Sequence, residues 1–110
     1  MTVGELLEKD GFKTVCCPEP EREIDGVYIG DLLSWVMGKA KEGDAWITIM
    51  SNINTIAVAS LKDTACIILA EDVSLDSEII KTAEEKGVNV ISSEMSAYEI
   101  SKHLFLDGVV

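Results

Sequence analysis

Apolar and polar residues follow one another along this chain in two rhythms, a helical one and a strand-like one, and the places where the rhythm switches divide it into elements. Thr2 and Glu5 have the spacing of a capping box with Leu6 and Leu7 behind them, so residues 2–10 read as a short helix ended by Gly11. FKTVCC (12–17) is rich in strand formers and stops at Pro18. PEPERE (18–23) is a charged loop, and IDGVYIG (24–30) a second strand with Gly26 marking a bulge. Asp31 opens a helix predicted over 31–42, whose apolar positions 32, 33, 35, 36 and 37 spread over more than one face. A strand follows at 45–50, a helix at 54–63, and a continuously apolar strand at 65–71 of the kind covered on both faces. Leu75, Ile79, Ile80 and Ala83 lie at helical spacing within 75–86, with Gly87 placed to end that helix. VNVIS (88–92) is a strand, and Ser93 or Ser96 starts a last helix that runs through Phe105.

From residue 45 onward, strand and helix alternate through short connections without hairpin signals. That order predicts an α/β fold, a single-layered mostly parallel sheet flanked by helices with right-handed crossovers. At 110 residues, the chain is sized for one domain over 1–110.

Charge narrows the function. Twenty acidic residues against 9 basic give a net charge of -11, so the surface repels phosphate backbones and anionic bilayers; neither a nucleic acid nor a membrane is an expected partner. The N-terminal stretch MTVGELLEKDG lacks the basic start and apolar core of a signal peptide, and no apolar run reaches the roughly 20 residues of a membrane span. A cytoplasmic location is the expectation, with Cys16, Cys17 and Cys66 as free thiols. Adjacent cysteines do not ligate one metal comfortably, and the C-x-x-C spacing of metal sites is absent.

Ligands of parallel sheets bind beyond the carboxyl ends of the strands. Three such strand ends are polar here, at 51–55, 71–74 and 92–96. The first carries Ser51, Asn52, Asn54 and Thr55, which with the free amides of the next helix can hold a phosphate, a ribose or a base edge. Simple capping by Asn52 or Asn54 explains the same residues without a ligand. Glu71 and Asp72 are predicted on the neighbouring rim, where paired carboxylates can hold a metal or act as acid and base. No third ligand completes a metal motif, His103 lacks catalytic partners, and no phosphate-binding glycine loop is present, so neither a resident metal nor a cofactor is expected. Trp35, Val36 and Met37 are candidates for a subunit interface, in which Trp and Met are enriched.

VYIGDLLSWVMGKAKEGDAWITIMSNINTIAVASLKDTACIILAE (27–71) resembles the small stand-alone members of the DRTGG-domain family, with the framework GDLL, GDAWIT and ACIIL carrying the likeness. The family is named for an Asp-Arg after its third strand and a Thr-Gly-Gly after its fourth. Here SNINT (51–55) and LAEDV (69–73) stand in those places. The resemblance implies an α/β domain similar to the N-terminal domain of HPr kinase, found beside CBS domains in regulated pyrophosphatases and at the start of some phosphotransacetylases. It also implies a regulatory or dimerisation role, not a catalytic one. Three functions are therefore in competition. The first is a homodimeric regulatory module that binds a small ligand such as a nucleotide. The second is a protein-interaction domain that docks on a metabolic or redox enzyme without any ligand. The third is a metal-dependent enzyme using Glu71 and Asp72.

Overall fold

The computed structural model describes residues 1–109. In chain order it contains α1 (Val3–Leu7), β1 (Lys13–Cys16), β2 (Gly26–Ile29), α2 (Leu33–Lys39), β3 (Asp44–Thr48), α3 (Ile53–Lys62), β4 (Cys66–Leu69), α4 (Ser77–Glu85), β5 (Val90–Ser92) and α5 (Ala97–Leu106). Five strands form one sheet in the order β1-β5-β4-β3-β2. Strands β2 to β5 are parallel neighbours in sequence order, and only β1, on the far edge, runs antiparallel to β5. The α/β architecture with a mostly parallel, helix-flanked sheet is thus as the element order predicts.

Strand alternation separates two cores. Ile67 and Leu69 of β4, with Trp46 of β3, pack against Val36 of α2, Ile56 and Ala59 of α3 and Ala83 of α4. Cys66 and Ile68, with Ala45 and Ile47, point the other way, against Val3 and Leu6 of α1 and Ile100 and Leu104 of α5. The three helices that connect parallel strands therefore share one face, as successive right-handed crossovers in one direction require. The helices outside that series cover the opposite face.

Local chemistry agrees with these elements at most ends. Thr2 and Glu5 form the expected capping box, and Ser96, not Ser93, caps α5 through a second one with Glu99. Gly26 is not a bulge: it pairs in register with Asp44, and the irregularity lies in β1 between Thr14 and Cys16. Its glycine has another cause, since a Cβ there would meet Asp44 Oδ1 at 2.7 Å. Helix α2 starts later than the sequence suggests, because Asp31 does not cap it; Leu32 stands at the N-cap and makes no side-chain cap bond.

Candidate functional site

The end of β3 is shaped by one carboxylate oxygen. Asp31 Oδ1 accepts from the Thr48 hydroxyl at 2.8 Å and from the Ile49 amide at 3.0 Å, while Thr48 Oγ1 accepts from the Met50 amide at 3.1 Å. These bonds end the strand and turn the chain toward α3. Asn52 then caps α3, its Oδ1 accepting from the amides of Asn54 at 2.9 Å and Thr55 at 3.3 Å. Of the two asparagines open for that role, Asn52 fills it. Asn54 is exposed on the first turn, whereas Thr55 is fully buried, and its hydroxyl has no partner among the described residues.

Beside this turn is an open cleft of about 830 Å³. One wall is the segment 49–53, which includes Ser51 and Asn52; the other is 76–79, the start of α4. The cleft lies beyond the carboxyl end of β3, where an open parallel sheet favours ligands. Its charge comes from Asp76 and Glu78, and no lysine or arginine lines it. Asp76 is the N-cap residue of α4 but makes no side-chain cap bond, and its backbone carbonyl accepts from Ile79 and Ile80. The amides of Ser77 and Glu78 precede the intrahelical ladder, as the first amides of any helix do.

The other sequence candidates divide. Glu71 and Asp72 do not line this cleft. Both adopt the left-handed region at φ 59, and their amides donate to Met95 O at 2.9 Å and Ser93 O at 2.8 Å. These bonds, with Ser93 N to Leu69 O at 2.9 Å, tie the end of β4 to the end of β5. Helices α4 and α5 leave these two strands toward opposite faces, so the crevice such a divergence would open is filled by main chain. Val36 is completely buried in the α2–α4 core and cannot belong to an interface; Trp35 and Met37 are exposed. Among the described residues, no group of three His, Cys, Asp or Glu converges as a metal site.

Burial is the main cause that pushes the Cys66 thiol up to about 12, and it also leads the rise of Cys16 to about 11. Cys16 Sγ donates to Val88 O at 3.4 Å. Cys16 and Cys66 serve the packing of the two cores.

Two features escape a sequence reading. Asp76 was legible as the residue before an amphipathic helix, but nothing located it across a cleft from Ser51. The bond between Asp31 and Thr48 has no sequence signal, because it joins the turn after β2 to the end of β3, 17 residues further on.

The fold has a solved counterpart. It is similar to the CBS and DRTGG domains of the regulatory region of Clostridium perfringens pyrophosphatase, complexed with the activator diadenosine tetraphosphate, at a TM-score of 0.72 and 16% sequence identity. The likeness covers 92% of this chain, which spans 44% of that one. No curated protein sequence matches the chain significantly. Among the described residues, no helix is long and apolar enough to cross a membrane. The model of the DRTGG domain matches residues 12–106, most of the chain, and the protein therefore belongs to the DRTGG-domain family.

Proposed function

We propose that the chain is a non-enzymatic regulatory module that works as a homodimer and reads a small ligand in the cleft between the β3–α3 turn and the start of α4. The cleft carries this reading. It joins the half-exposed apolar side chains of Ile49 and Ile53 to the hydroxyls of Ser51 and Ser77 and the carboxylates of Asp76 and Glu78. Such a lining suits a flat, partly apolar ligand with hydrogen-bond donors, as a nucleoside is. Two carboxylates without a lining cation disfavour a bare polyphosphate and favour a nucleoside or a nucleotide accompanied by a metal ion. The dinucleotide bound to the Clostridium perfringens regulatory region supports the ligand class. A non-enzymatic role is supported by how the polar groups are used: Asp31 is engaged by Thr48 and Ile49, and the Asn52 side chain by its cap.

The test is a thermal-shift and calorimetric titration with adenosine, adenosine monophosphate, and adenosine triphosphate with and without magnesium. A ligand that binds only the folded chain raises Tm by mass action. Adenosine should outperform metal-free triphosphate, and Glu78→Gln should narrow the difference. No response to any of these probes would leave the second reading, a docking domain without a ligand, which the exposed Leu32 and Trp35 favour.

A further inference from the structure

We infer that a second copy of this chain packs on the outer surface of α2 and α3, so that a four-helix contact joins the two sheets. This names the contact surface of the homodimer in the reading above; it meets the cleft only at Ile53 and is tested separately from the ligand.

Three observations converge on this surface. The first is charge. The protein has 20 acidic residues, yet neither α2 nor α3 contains one, and their only charged side chains are Lys39 and Lys62 in the last turns. The two helices pack side by side on one face of the sheet. The third helix on that face, α4, carries Glu78, Glu84 and Glu85. Two copies with a net charge of -11 repel each other across most orientations. Meeting through α2 and α3 keeps helix-borne carboxylates out of the contact.

The second is a second apolar stripe. α3 buries Thr55, Ile56, Val58 and Ala59 against its own sheet. Ile53, Ala57 and Leu61 follow one another at four-residue steps on the other side, a helix-packing row in its own right. Leu61 is 73% exposed and Ile53 47%, with the small Ala57 between them leaving room for a facing helix. Trp35 on α2 and Leu32 at its N-cap are each 58% exposed. One amphipathic helix against one sheet needs a single apolar face, so the outer row is surplus in the isolated chain.

The third is Gly38. It lies within α2, where glycine is about 1 kcal/mol worse than alanine. A Cβ built there meets nothing within 4 Å among the described residues. The chain's own packing therefore gives no reason for a glycine, whereas close approach of a second backbone does.

Sedimentation equilibrium on the full chain tests this. The wild type should be a dimer at micromolar concentration. Leu61→Glu and Trp35→Glu should each raise the dissociation constant by about tenfold or more. Gly38→Leu, whose Cβ meets no atom within 4 Å, should weaken association equally while leaving the fold of the monomer, read by circular dichroism, unchanged. Phe105→Glu, at an equally exposed position on α5 across the sheet, should leave association unchanged. A monomeric wild type at several hundred micromolar overturns the inference, as does a dimer that only Phe105→Glu breaks. A dimer that binds no nucleotide keeps this inference and removes the ligand reading; a monomer that binds one does the reverse.

Discussion

Glu71 and Asp72 hold a backbone shape that belongs to glycine. Both sit at φ 59, and both lie in the segment 69–73 where members of the family are named for Thr-Gly-Gly. The shape is kept because their amides bond across to Met95 and Ser93. A left-handed conformation costs an L-residue roughly 1–2 kcal/mol, less for Asp, whose short side chain bonds locally. Glycine removes that cost but loses about 0.5–1 kcal/mol more backbone entropy on folding. Glu71→Gly should therefore stabilise the protein by about 0.5–1 kcal/mol, and Asp72→Gly by less. Each substitution also removes one carboxylate from a chain of net charge -11. Glu71→Ala separates the two effects, because it removes the same charge and keeps the strain. Urea unfolding, followed through the fully buried Trp46, measures all three variants. Glycine should exceed alanine at position 71 with the m-value unchanged. Equal gains from alanine and glycine would show that charge, not conformation, was relieved, and a loss with glycine would refute the reasoning outright.

Asn52→Ala should cost about 1 kcal/mol of stability through the lost cap, and Asn54→Ala under about 0.5 kcal/mol, both measured by urea unfolding. Asn89 is 2% exposed; its amide donates to Glu19 O and Ala65 O and accepts from Glu19 N, so Asn89→Ala should cost about 3 kcal/mol, and a cost below about 1 kcal/mol would mean that solvent replaces those bonds. Cys66→Ser should destabilise by about 1–3 kcal/mol, because a hydroxyl enters a fully buried site. The pH dependence follows from the same burial. The Cys66 and Cys16 thiols are raised to about 12 and about 11 from 9.0, so the unfolded chain ionises first and their contribution to stability is lost as pH rises above about 9. Cys66→Ala should flatten that decline; an unchanged slope would assign it to other groups.

The fold was legible wherever local pattern and global packing agree. The apolar run in 65–71 predicted a strand covered on both faces, and β4, shorter at both ends, is buried throughout. The period of Leu75, Ile79, Ile80 and Ala83 predicted α4 within a residue or two. The antiparallel placement of β1 on the far edge was not legible, because no residue in FKTVCC encodes its partner. Around the site, β3 and β4 are indeed neighbours, an order the sequence left open, yet the sequence reading misplaced the acidic wall. Two left-handed residues after β4 carry the chain toward β5, and α4 then brings Asp76 and Glu78, several residues further on, to face Ser51. A left-handed glutamate leaves no mark in sequence. Val36 was misassigned for a simpler reason: in a run of adjacent apolar residues on a short helix, helical phase decides which side chain faces inward, and here Val36 does.

The pairing of β1 with β5 also sets an order of assembly. Strands β2 to β5 join partners next to them in sequence, so each can be added as the chain lengthens, at modest loop-closure cost. Strand β1 has no edge to join until β5 exists, and Asn89 meets Glu19 across a sequence separation of 70. The segment that leads the domain in sequence is thus the last of its parts to find its place. Until they do, β5 presents an open, apolar edge of Val90 and Ile91, the kind of edge along which unfinished chains pair with one another. The N-terminal helix and strand act as a closing piece, and a chain shortened by its first twenty residues should self-associate through β5 rather than fold to a smaller version of the same domain.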